Sequence, residues 1–175
     1  MTDATTDRTD HSDDLGDGQV PDADRAADLL AIQGLAIAYA GAVDDADWVR
    51  WEALFTPDAV VDYVSSGGIV GTSGEVAAWM PGAMSVFTWT MHSIFTHEIH
   101  FTGPDRATGR VHLFNRNGVD WEGEAEILDI GGFYEDEYAR VGDAWRFTKR
   151  VERTIYIEGG RFADIVRELA AKATC

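Results

Sequence analysis

The chain has 175 residues, 45% of them hydrophobic, which suits one compact domain with a proper core. Acids outnumber bases 31 to 14, and the resulting formal charge of −17 would repel phosphate backbones, which argues against a nucleic-acid partner. Residues 1–25 hold eight Asp and two Arg, with Met1, Leu15 and Val20 as their large aliphatics. This stretch accounts for −6 of the charge, leaves −11 to the body, and reads as a disordered acidic tail.

The N-terminus shows neither a basic region nor an apolar run of the kind a signal peptide needs. No stretch approaches 18 consecutive apolar residues, so no membrane span is predicted. The single cysteine, Cys175, has no partner within the chain. These features together predict a soluble cytoplasmic protein.

A first helix is expected over "DADRAADLLAIQGLAIAYAGAVDD" (22–45), with Leu29, Ile32, Leu35, Ala36, Tyr39 and Val43 at helical spacing. A second follows in "ADWVRWEALF", with Trp48, Trp51 and Phe55 on one side and Pro57 as its stop. "AVVDYV" (59–64) is β-branched and reads as a strand with Val61 and Tyr63 on one face. "TSGE" (72–75) has capping-box spacing and opens a third helix through Trp79, interrupted at Pro81. Period-two runs then predict four strands in "SIFTHEIHF", "ATGRVHLFNRNGV", "EAEILDIGGFYEDEYARV" and "AWRFTKRVERTIYI", separated by the turn signals "GPDR", "DWEG" and "GD". An amphipathic stretch within residues 159–175 closes the chain as a helix able to lie at a subunit interface.

Helices followed by a long antiparallel meander predict an α+β fold with segregated layers, the domain running over residues 26–158. A curved sheet wrapped on helices encloses a conical cavity suited to a small molecule. Its expected walls are Trp48, Phe55, Trp79, Phe87, Trp89, Phe95, Phe114 and Phe133, which would favour a bulky apolar substrate such as a steroid, terpenoid or polyketide.

Three of five histidines fall within nine residues, "HSIFTHEIH". His92, His97 and His100 are five and three residues apart, matching neither a helical zinc site nor one face of a strand, so no metal is expected. On regular alternation His97 joins Phe95, Ile99 and Phe101 on an apolar face, as a core residue or a cavity wall, while His100 is solvated. His112 lies in an alternating run and suggests no role. His92 stands where the third helix gives way to the meander, a boundary from which a side chain can enter a cavity. A histidine becomes an effective base when a carboxylate holds one ring nitrogen. Asp44, Asp45 and Asp47 all end the first helix, and spacing alone does not choose among them.

The ordered set "Y-x4-D-x2-DW", "VVDY", "TMH", "GGFYEDEY" and "WRFTKR" resembles the SnoaL-like branch of the nuclear transport factor 2-like superfamily. Within it, the chain is most similar to members with scytalone dehydratase, bile acid 7α-dehydratase and hexachlorocyclohexane dehydrochlorinase activity. The resemblance implies a cone-shaped curved antiparallel sheet closed by N-terminal helices. It also implies a catalytic Asp–His pair, falling on Asp44 and His92, assisted by tyrosines matched by Tyr39 and Tyr63. Arg150 matches an arginine near the dehydrochlorinase substrate. Asn117 stands where scytalone dehydratase carries a second histidine, Tyr134 replaces a polar residue of the third meander strand, and Trp48 completes the substrate-binding set. If the first helix is regular, Tyr39 and Asp44 point about 140° apart, so both reach one cavity only if it ends near Val43.

These residues imply a cofactor-independent lyase that removes water or a related β-leaving group. An isomerase or polyketide cyclase using the same pair, or a non-catalytic ligand-binding module, is the alternative. Epoxide hydrolysis would need an arginine between two carboxylates, which "GRVHLFNRNG" does not supply. Members of this kind form homotrimers, so a trimer is expected, with a dimer second.

Overall fold

The computed structural model describes residues 23–173. Of the acidic tail predicted over residues 1–25, residues 1–22 lie outside the described residues, and residues 23–25 open the first helix instead. That helix, α1 (Ala23–Asp44), is followed by α2 (Trp48–Glu52), β1 (Phe55–Asp62), a 3-10 turn at Val64–Ser66, β2 (Val70–Thr72) and α3 (Ser73–Met84). The meander β3 (Phe87–Gly103), β4 (Arg106–Trp121), β5 (Glu124–Val141) and β6 (Ala144–Gly159) precedes α4 (Arg161–Ala173). One six-stranded sheet in the order β2-β1-β6-β5-β4-β3 curves over the helices, so the architecture is the expected α+β cone.

The sheet is mixed rather than wholly antiparallel, because β1 lies parallel to β6, with Val61 opposite Arg150. The main core packs the inner face of the sheet on α1 and α3 through Ile32, Leu35, Trp51, Val61, Val76, Met80, Val111 and Phe147. By length and composition α1 could cross a bilayer, which a search for unbroken apolar runs misses. Here its apolar stripe of Ile32, Leu35, Ala36 and Tyr39 is buried against the sheet. Asp28 fixes it there by accepting from Arg140 and from Trp145 Nε1.

Several expectations change for local reasons. Pro57 does not stop a helix; it lies within β1, where the pairing with β6 is irregular between Phe55 and Val60 and a missing N–H costs little. Phe55 accordingly opens a strand instead of ending α2. Pro81 lies within α3 on its exposed side, and the helix continues to Met84 because Val76 and Met80 anchor it in the core. The capping box at Thr72 and Glu75 forms as read. The first meander strand begins at Phe87, so His92 sits inside β3, paired with Asn115.

An irregularity between Ile94 and His97 breaks the alternation of β3, leaving Phe95 exposed while His97 turns inward. His97 Nε2 lies 3.0 Å from the Tyr138 hydroxyl, which donates to Asp136 Oδ2 at 2.9 Å. Asp136 also holds Arg150 through Nε (2.8 Å) and Nη2 (2.7 Å), a bidentate pair with both side chains fully buried. Burial pulls His97 from the ordinary 6.5 down to about 4, against the attraction of Asp136. A lowered histidine contributes stability that is complete above 6.5 and is lost as pH falls through about 4. Urea denaturation of the wild type and His97→Gln between pH 7 and 4 should therefore show a shallower loss of stability in the variant; parallel curves would contradict the assignment.

Candidate active site

α1 runs regularly through Asp44, and its end is fixed by amides folding back: Asp45 N–H to Gly41 O, Ala46 N–H to Val43 O and Asp47 N–H to Ala42 O. Ala46 takes a left-handed φ of 52° and turns the chain away. Asp44 thus projects from the last turn towards β3. Its carboxylate accepts from Thr90 Oγ1 (3.1 Å), from the His92 backbone N–H (3.0 and 3.1 Å to its two oxygens) and from His92 Nδ1 (2.7 Å). Burial raises the Asp44 pKa, but the ring and backbone bonds from His92 and the Thr90 hydroxyl outweigh it and hold the group below the usual range. The carboxylate is therefore ionised, and His92 donates from Nδ1, which leaves Nε2 as the free ring nitrogen.

The His92 side chain is 8% exposed and the Asp44 side chain 27%. His92 lines a cavity of about 390 Å³ between the sheet, α1, α3 and α4, whereas Asp44 stands behind the ring and lines none of it. The difficulty of bringing Tyr39 and Asp44 to one cavity is resolved without a break in the helix, since the imidazole bridges from carboxylate to cavity.

Tyr39, Tyr63 and Tyr134 share the cavity wall. The hydroxyls of Tyr39 and Tyr63 are 2.6 Å apart, and the Tyr39 and Tyr134 rings pack edge to face with centroids at 5.5 Å. Burial pushes all three phenols above their ordinary value, so they are donors and not bases. Gly67, at φ 86°, turns the chain after the 3-10 turn, and Gly68 comes so close to Tyr63 that a Cβ there would lie 2.7 Å from the tyrosine Cβ. This tight turn sets Tyr63 in the wall.

Asn117 and its strand neighbour Asn115 also face the cavity. Asn117 Nδ2 donates to Leu128 O at 3.4 Å, while Asn115 Oδ1 is buried with no donor among the described residues. Arg150 does not line the cavity. Paired with Asp136, it lies beneath the Tyr39, Tyr134 and Phe147 rings, its guanidinium carbon 4.0 to 4.2 Å from their centroids, and so supports the tyrosines from behind. Trp48 packs against the main core and is likewise absent from the lining.

Of the expected aromatic walls, Trp79 and Phe87 line the cavity. Phe55 stacks with Trp51 and Phe147 in the core, and Trp89 and Phe95 are exposed. Phe114 and Phe133 are partly buried and absent from the lining. Met80, Met84, Leu128, Ile130, Phe162 and Val166 supply much of the remaining apolar surface. A cavity residue missed in the sequence is Glu152, 6% exposed and accepting from Ser66 Oγ at 2.9 Å through Oε2.

A curved six-stranded α+β sheet over N-terminal helices is also the fold of several solved structures. A Kribbella flavida protein superposes with a TM-score of 0.71 at 22% identity, over 82% of this chain and 99% of that one. A putative scytalone dehydratase from Novosphingobium aromaticivorans gives 0.68 at 23%, over 77% and 88%. The hexachlorocyclohexane dehydrochlorinase LinA-type3 of Novosphingobium barchaimii gives 0.70 at 22%, over 81% and 95%. The SnoaL-like domain model matches residues 24–151, and the chain belongs to that family within the nuclear transport factor 2-like superfamily. An uncharacterised Mycobacterium tuberculosis protein, Rv2910c, is 32% identical over 127 residues, which are 72% of this chain and 84% of that protein; Mb2934c of Mycobacterium bovis matches equally.

Tyr63→Phe removes one of two mutually bonded buried hydroxyls and should lower stability by about 1 kcal/mol. The checking measurement is the urea midpoint, and an unchanged midpoint would mean that the Tyr39–Tyr63 contact contributes nothing.

Proposed function

We propose that the protein is a cofactor-independent lyase that removes water or a related β-leaving group from a bulky, largely apolar substrate. The observation carrying this reading is the Asp44 Oδ1–His92 Nδ1 contact of 2.7 Å behind a ring that lines an apolar cavity. His92 Nε2 takes a proton from the carbon next to a carbonyl, and Asp44 balances the charge of the imidazolium. A base so placed contributes about 10²–10⁴-fold. As charge builds on the carbonyl oxygen, the Tyr39, Tyr63 and Tyr134 hydroxyls are the donors at hand, and one preorganised donor contributes about 10²–10³-fold more. The structural resemblance to a putative scytalone dehydratase and to a dehydrochlorinase supports this reaction class.

His92→Ala and Asp44→Asn should each reduce turnover about 100-fold or more with folding intact. The assay screens hydroxy-ketones of steroid, terpenoid and polyketide type by mass spectrometry, where elimination appears as loss of one water. An unchanged mass with a shifted double bond or a new ring would assign isomerisation or cyclisation to the same pair. Full activity in both folded variants would refute the Asp44–His92 mechanism, and a wild type that turns over none of these substrates would leave a binding module as the function.

We further propose that the protein assembles as a homotrimer through the outer sheet face. Trp89, Met91, Ile127 and Tyr156 are 36–46% exposed. Trp89 overlies Gly118 and Tyr156 overlies Gly131, positions where a Cβ would displace the ring. Sedimentation should give three chains, and Met91→Glu with Tyr156→Glu should give one; a monomeric wild type would refute the assembly.

A further inference from the structure

Glu152 lies on β6 in the wall of the cavity that His92 also lines. Ser66 Oγ donates to its Oε2, and Ser65 Oγ donates to its backbone carbonyl at 2.7 Å, so the 3-10 turn fastens both ends of the residue. Arg150, two residues earlier, is committed to Asp136 through Nε and Nη2 and forms no ion pair with Glu152 among the described residues. A carboxyl placed this way is a poor structural element, since it is nearly excluded from solvent and no cation pairs with it among the described residues.

Loss of hydroxide requires a proton, whereas loss of a halide does not. The three phenols are held above their ordinary pKa and are weak acids. Asn115, paired with His92 across β3 and β4, offers the buried oxygen that has no donor among the described residues, an acceptor suited to a substrate hydroxyl.

Building on the elimination reading, we propose that Glu152 is the acid that protonates the departing oxygen and that the substrate is a β-hydroxy carbonyl compound. His92 Nε2 takes the α-proton, the C–H electrons form the C=C bond, and the C–O bond breaks as the Glu152 proton passes to oxygen. Water leaves, with imidazolium and carboxylate behind. The imidazolium then releases a proton to solvent and the carboxylate takes one up, restoring both groups.

Burial pushes Glu152 up to about 7; the Ser66 hydroxyl, the Arg150 charge and Thr154 draw it back, and the Asp62 charge adds to the rise. The groups acting on it are thus Arg150 and Thr154 on β6, Ser66 in the 3-10 turn and Asp62 on β1, with Tyr39 of α1 and Tyr134 of β5 coupled to its charge. It is protonated below neutrality, where an ordinary glutamate is ionised.

The test uses a matched pair of aryl ketones differing in a β-hydroxyl or a β-chlorine, given to the full-length protein. Glu152→Gln should slow loss of water about 100-fold or more, and at least about tenfold more than it slows loss of chloride. His92→Ala should slow both. In the wild type, loss of water should decline as pH rises through about 7 while loss of chloride does not, a readout that needs no variant. The carboxyl carbon resonance absent from Glu152→Gln should titrate near 7 by NMR. Equal slowing of both reactions, no slowing, or titration in the ordinary glutamate range would overturn the role of Glu152 and leave the dyad standing. If the wild type eliminates chloride alone, the hydroxy substrate is excluded; if it eliminates neither, the elimination reading itself falls.

Discussion

The site depends on the carboxylate of Asp44 at the end of α1. A negative charge there faces the negative end of the helix dipole and is disfavoured unless donors from elsewhere surround it. β3 supplies them from two residues: the Thr90 hydroxyl, the His92 amide and the His92 ring. One clamp therefore joins the first helix to the meander, fixes the imidazole tautomer and directs its second nitrogen at the cavity. In the proposed reaction the unfavourable helix end becomes useful, because an imidazolium at His92 would be stabilised by the carboxylate and by the dipole together.

The rest of the cavity follows from a division of polarity. Apolar residues of α3, α4 and β5 cover one part, while the tyrosines, the two asparagines and Glu152 concentrate hydrogen-bonding groups on another. Arg150 sits behind this polar wall, neutralised by Asp136 and covered by three rings. A buried charge paired in this way, its Nη1 having no hydrogen-bond partner among the described residues, is costly to disturb. The cavity is thus lined by the hydroxyls and amides, and the guanidinium serves as their support.

Much of the fold was legible because its signals are local. The turn signals "GPDR", "DWEG" and "GD" separate the four meander strands, and Thr72 with Glu75 marks the start of α3. The period-two run read as a strand in "YEDEY" does lie in β5, with Tyr134, Asp136 and Tyr138 buried on one face. The parallel pairing of β1 with β6 was hidden, since it joins segments far apart in the chain. The face assignment in β3 failed where pairing slips, since the irregularity there separates His97 from Phe95, and a second irregularity, beside Thr148, changes the phase of β6. That second shift brings Arg150 and Glu152 to the inner face after Phe147, a change of phase that simple alternation along the sequence does not show. Asp44 and His92 were selected by family resemblance; spacing left Asp45 and Asp47 as equals.

The most direct test of the clamp is nitrogen NMR of imidazole-labelled protein, with the His92 ring observed in its neutral form. The ring proton is expected on Nδ1, with a resonance displaced by the bond to a carboxylate and restored towards the free value in Asp44→Asn. A ring proton on Nε2, or a His92 spectrum indifferent to the loss of that carboxylate, would contradict it.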